Sequence, residues 1–213
     1  VRDNGATIVD VQFTPYSNGE SSYRGYSTTV EGIVTSSAND DDLGFIYIMQ
    51  EGESEWAGLS LTDNAGLNTL NRGDRVEVTG VIQESFGFTV MEVSNLNVMN
   101  TGNSIAPVAV DPNDFTVYDA AVTEPYEGML VTLTNPNTGN PVYVVDKNAD
   151  SGDNNNFSEY RIGSDRFDPT EGGRILTGRR TGSDAGSLVF GFINDSTRIV
   201  DAGAIGATRL LYD

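Results

Sequence analysis

Residues Arg75–Glu84 read RVEVTGVIQE, and this stretch decides the fold. Val76 and Val78 alternate with Glu77 and Thr79, the period of two by which a strand turns one face to a core. The phase then slips, because Val81 follows directly on Gly80. A glycine at such a slip marks a bulge or a sharp bend, the device by which small barrels turn corners. Gly32 stands in the same context in TVEGIVT. Two bent strands with internal glycines favour a closed barrel over a flat sheet.

Outward from that stretch the chain reads as short strands divided by turn chemistry. Further strands are expected at Thr28–Thr35, Gly44–Gln50, Gly58–Thr62, Gly87–Val93, Met129–Thr134, Val142–Asp146, Glu159–Gly163 and Ser187–Asn194, separated by Gly, Asn, Asp, Ser and Thr. Helix signals are few. Ala65–Leu70 has room for one turn, and Asp111–Phe115 for another, with Pro112 suited to a first helical position. The fold class expected is all-β. The 213 residues suffice for one large β domain or two small ones.

Composition narrows the chemistry. The chain has neither cysteine nor histidine. Disulfides, thiolate nucleophiles and Cys-type zinc sites are thereby excluded, and so are Ser-His-Asp, Cys-His and HExxH arrangements. The acidic residues number 31 against 12 basic ones, for a net charge of −19. Lys147 is the single lysine; the rest of the basic set is arginine. Such a field repels phosphate backbones and anionic membranes, so nucleic acid is an unlikely partner and membrane insertion is not expected. No apolar run approaches the ~20 residues of a membrane-spanning helix. Solubility in a salty or extracellular medium accounts for the charge, and the chain is expected to be secreted or displayed at the cell surface, any leader having been removed before Val1.

The order TVEGIVT, GFIYIMQ, GLSLTD, NRGDRVEVTGVIQESFGFTVMEV and EPYEGMLVTLT resembles the OB-type modules that accompany nucleases and other multidomain exported proteins of Bacteroidetes-like bacteria. The resemblance spans about residues 28–134. Its most specific parts are Gly73-Asp74-Arg75-Val76 and Pro125-Tyr126-Glu127-Gly128-Met129-Leu130-Val131. It implies an OB-like antiparallel barrel held by these residues, and it does not imply nuclease activity. Arg72-Gly73-Asp74 reads as a tight turn into a strand, and Met129 and Val131 as core residues. The expected organisation is an N-terminal strand and polar connector over 1–27, the barrel over 28–134, and a C-terminal β extension over 135–213. A single larger β-sandwich and two packed β domains are the alternatives.

Four groups of residues carry candidate functions. Trp56 lies in the acidic stretch EGESE-W, and Phe86 and Phe88 flank Gly87 at an expected hairpin tip; exposed rings of this kind stack ligands on OB barrels, and core packing is the plain alternative. Asp146, Asn148, Asp150 and Asp153 place oxygen ligands at near-alternate positions around Gly152, as in the first half of a calcium loop, although a solvated acidic loop reads the same way. No cofactor is required, calcium being the one candidate. Asn39–Asp42 reads as a solvated acidic turn. Arg174, Arg179 and Arg180 read as partners for the chain's own acids. Finally, Thr7–Phe13 (TIVDVQF) reads as a strand set apart by a Gly-, Ser- and Tyr-rich connector. It either joins its own barrel or is donated to the sheet edge of a neighbour through Ile8, Val11 and Phe13. The function expected is a non-catalytic extracellular structural or interaction subunit that self-assembles or binds another extracellular protein. A glycan- or single-strand-binding accessory module is the alternative.

Overall fold

The computed structural model describes residues 5–36, 46–85, 88–115, 120–137, 140, 142–146, 159–164 and 173–176. Five strands form a closed barrel: β1 (Ser27–Ser36), β2 (Ile46–Met49), β3 (Gly58–Thr62), β4 (Arg75–Ser85) and β5 (Phe88–Asn100), in the order β1-β2-β3-β5-β4. All neighbours are antiparallel except β3 and β5, which run parallel with Ser60 opposite Val90. Pairing of β1 with β4, Val30 opposite Val78, shuts the barrel and leaves it no free edge. The all-β barrel expected from the alternation is therefore the fold.

The bend in RVEVTGVIQE sits where its glycine puts it. The β4–β5 register shifts between Thr79 and Gly80. A Cβ on Gly80 would lie 2.4 Å from Glu92 O, so no larger residue permits that crossing. Gly32 serves a different end. Its register with Val76 is regular, and a Cβ there would lie 2.9 Å from the Ile8 side chain. Arg72-Gly73-Asp74 turns the chain into β4, with Asp74 N donating to Asn71 O at 3.0 Å.

Ile8 belongs to a helix, which corrects the expected N-terminal strand. Residues Ile8–Gln12 form α1, started by Thr7 as N-cap with a reciprocal Thr7–Asp10 capping box. Ile8 and Val11, one turn apart on the same face, are fully buried in the barrel's own core with Val30, Ile48, Leu59 and Val76. Val9 N donates to Gln50 Oε1 at 3.3 Å, and Gln12 Nε2 donates to Gly58 O. The helix wins because a short strand here would have left Ile8 and Val11 on opposite faces, whereas one helical turn buries both.

Beyond the barrel, β6 (Val108–Val110) pairs in parallel with β7 (Val131–Leu133), and β8 (Tyr143–Asp146), β9 (Glu159–Gly163) and β10 (Gly173–Leu176) form an antiparallel sheet in the order β10-β9-β8. Of these, β6, β7 and β9 contribute to a second core: Phe115, Met129, Leu130, Val131 and Ile162 pack with Met49 of β2 and with Ala57. Met129 and Val131 are core residues, as their strand pattern implied. The expected turns at 65–70 and 111–115 are 3₁₀ turns over Ala65–Thr69 and Pro112–Phe115.

Candidate functional site

Phe13 follows directly on α1 and is 52% exposed. Its ring meets Trp56 edge to face, with centroids 5.4 Å apart and planes at 68°. Trp56 ends the connection from β2 to β3 and is partly buried. Its backbone holds φ +60°, a left-handed conformation that a bulky residue adopts only under constraint. The constraint is visible: Trp56 N donates to Pro125 O, while the next residue, Ala57, is fully buried in the second core. Three elements distant in sequence thus fix one aromatic corner. Glu53 and Glu55 beside it are exposed, and neither forms an ion pair among the described residues. Glu51 is engaged, since Arg75 bridges it at 2.7 Å and Glu31 at 2.8 Å.

Of the aromatic residues singled out in the sequence, the structure brings Trp56 together with Phe13, which had been assigned to strand donation. Phe88 is corrected: it is buried, pairing edge-on with Tyr47 at 6.1 Å. Tyr47 and Phe88 form a small apolar cluster with Val90, so Phe88 offers no ring to a ligand. Phe86 lies outside the described residues. So do Asn148, Asp150 and Asp153, with Asp146 ending β8 just before them, and so do Asn39–Asp42, Arg179 and Arg180. Among the described residues no three acidic side chains are grouped as a metal would need.

A feature with no clear sequence signal is a buried carboxylate. Glu127 is 3% exposed and accepts Thr89 N–H through Oε1 at 2.9 Å. Thr89 Oγ1 donates to Glu84 Oε1 at 3.0 Å, and Ser21 N donates to that same oxygen at 2.8 Å. Glu84 Oε2 is buried with no hydrogen-bond partner among the described residues. Glu124 is also buried, packed under Gly19. Burial first, and then the nearby charge of Glu124, push the Glu127 carboxyl well above the usual carboxylate range. Burial likewise raises Glu84 and Asp111.

A carboxyl whose folded pKa is raised binds its proton more tightly in the native state. Its stabilising contribution is full below the unfolded pKa, about 4.3, and is lost as pH rises through the folded value. Glu127→Gln keeps an oxygen for Thr89 N–H and removes the charge. It is expected to leave Tm unchanged near pH 4 and to stabilise the fold by about 1–3 kcal/mol at pH 8. Thermal denaturation across that range checks this, and equal pH profiles for the two proteins would refute it.

No protein-family description matches the chain, and no curated protein matches it. Solved structures do, each of the following over part of the chain. An OBody, AM1L10, bound to hen egg-white lysozyme is 20% identical, with TM-score 0.30, over 38% of this chain and 84% of that one. The asparaginyl-tRNA synthetase from Pyrococcus horikoshii complexed with asparaginyl-adenylate is 16% identical, with TM-score 0.29, over 38% of this chain and 20% of that one. A second structure of that synthetase aligns over 21% of its length with the same identity and score. The chain is similar to these proteins over 38% of its length.

Proposed function

We propose that the chain is a non-catalytic structural or interaction subunit working outside the cell, which associates with protein partners, copies of itself included, through the Phe13–Trp56 corner. The observation that carries this reading is the half-exposed Phe13 ring held against a conformationally constrained Trp56. Aromatic anchors pinned by a rigid scaffold are what protein contacts use as hot spots. The absence of histidine and cysteine supports a role without chemistry. The acidic charge supports an extracellular setting. Donation of Ile8 and Val11 to a neighbour is not part of the proposal, because both fill the chain's own core.

Trp56 is the only tryptophan, so its fluorescence reports on this corner alone. Raising the protein concentration is expected to shift its emission as the mass by light scattering grows. Phe13→Ser, a change at an exposed ring, is expected to weaken association at least about tenfold. A wild-type protein that stays monomeric at every concentration removes self-assembly, and association left unchanged by Phe13→Ser removes this corner from it. The second reading is a glycan-binding module, favoured by the partial exposure of Trp56; the charge of −19 weighs against its single-stranded nucleic-acid version.

A further inference from the structure

We propose that the Phe13–Trp56 corner is a docking surface for a polypeptide that presents arginine side chains to it. This rests on the reading of the corner as a contact surface and adds the chemistry of the partner. Two kinds of group meet there. The rings offer negative faces, over which a cation is attracted when it comes within about 6 Å of a centroid. The carboxylates of Glu53 and Glu55 stand exposed on the same connection and pair with no cation among the described residues. The charge of Glu55, after burial and with that of Asp114, also raises the pKa of the Tyr126 hydroxyl, which neighbours Pro125.

Two of the chain's arginines are committed elsewhere. Arg24 pairs with Glu20 at 2.6 Å, and Arg75 holds Glu31 and Glu51. A partner bearing arginine therefore supplies the charge that this surface lacks, while the net charge of −19 speeds its approach. Arginine fits better than lysine. Its planar guanidinium lies flat on an indole and forks to a carboxylate at once, whereas an ammonium is more strongly hydrated and has no plane to stack. A neutral sugar would leave both glutamates without a counter-charge.

The test uses the full chain, a short arginine-rich peptide, its lysine counterpart, a glutamate counterpart and neutral oligosaccharides. Trp56 emission and calorimetry are the readouts. The arginine peptide is expected to bind more tightly than the lysine peptide and to weaken with salt, while the glutamate peptide does not bind. Phe13→Ser, and the double change Glu53→Gln with Glu55→Gln, are each expected to weaken arginine-peptide binding about tenfold. Glu77→Gln, which removes another exposed acid, on β4, is expected to leave it unchanged. Equal losses for Glu77→Gln and the double variant would show attraction to net charge alone and overturn the proposal. Oligosaccharide binding without arginine-peptide binding would overturn it in favour of a glycan surface. If no peptide binds while self-association still depends on Phe13, the arginine preference fails and the contact surface stands. If neither depends on Phe13, both readings fail.

Discussion

Replacing Gly58 with alanine is expected to destabilise the fold more than any surface change, by about 3 kcal/mol or more. Gly58 opens β3, and its backbone lies against that of Gly128. An added Cβ would sit 2.2 Å from Gly128 C and 2.4 Å from Met129 N. Neither atom can rotate aside, as a side chain would. On one flank β3 is bonded to β2 and on the other to β5, and on the far side of the contact Met129 and Leu130 are buried in the second core. One of the two cores must open. The same contact seats the Gln12 Nε2–Gly58 O hydrogen bond, so α1 is disturbed as well. For a chain of this size each kcal/mol moves Tm by about 2–4 °C, so a fall on the order of 10 °C is expected. Gly52→Ala, in open space at φ +86°, provides the contrast, with only the smaller conformational cost of a left-handed alanine. Matching Tm values for the two variants would show that the Gly58–Gly128 approach does not limit stability.

Ile8→Ala is expected to cost about 2–5 kcal/mol, the range for truncating a large aliphatic side chain in a packed core. Ile8 is fully buried against Gly32 and Ile48, and the cavity left there has walls of β-sheet that collapse poorly. Deleting residues 1–14 is expected to cost at least as much, because it removes Val11 and the Gln12 bond together with Ile8. Thermal melts and light scattering on both variants separate an integral helix from a donated strand. A 1–14 deletion that keeps the parent Tm but becomes monomeric would restore donation. A deletion with a greatly lowered Tm confirms that the segment belongs to its own barrel.

What was legible in the sequence followed from local pattern. Val76, Val78 and Gly80 announced a bent strand because alternation and its slip are both written within a few residues. Thr7–Phe13 misled for the same reason. Val9, Val11 and Phe13 alternate, while Ile8 and Val11 are spaced for one helical turn, and the two patterns compete in one heptapeptide. The deciding signal was present in Thr7 and Asp10, spaced as a capping box with aspartate in place of the usual glutamate. Phe88 could not be placed locally, since its burial comes from Tyr47 on another strand. Glu127 was equally hidden: its hydrogen-bond donor, Thr89, lies 38 positions away, and an acid in EPYEGMLV looks like a turn residue. The aromatic corner was half legible. Trp56 stood out by its acidic surroundings, but its neighbour Phe13 came from a segment read as a strand.

The barrel closes through its most distant partners. Thr29 on β1 meets Thr79 on β4, and their hydroxyls lie 2.7 Å apart across 50 positions of chain. A β1–β2–β3 sheet made earlier has nothing to seal it until β4 and β5 exist, and contacts of such long range make for slow folding. The pocket that receives Ile8 is lined by β1, β2, β3 and β4 together, so it exists only once closure is complete. The segment that carries Ile8 is therefore among the last to settle. Until then Ile8 and Val11 lack the core that buries them.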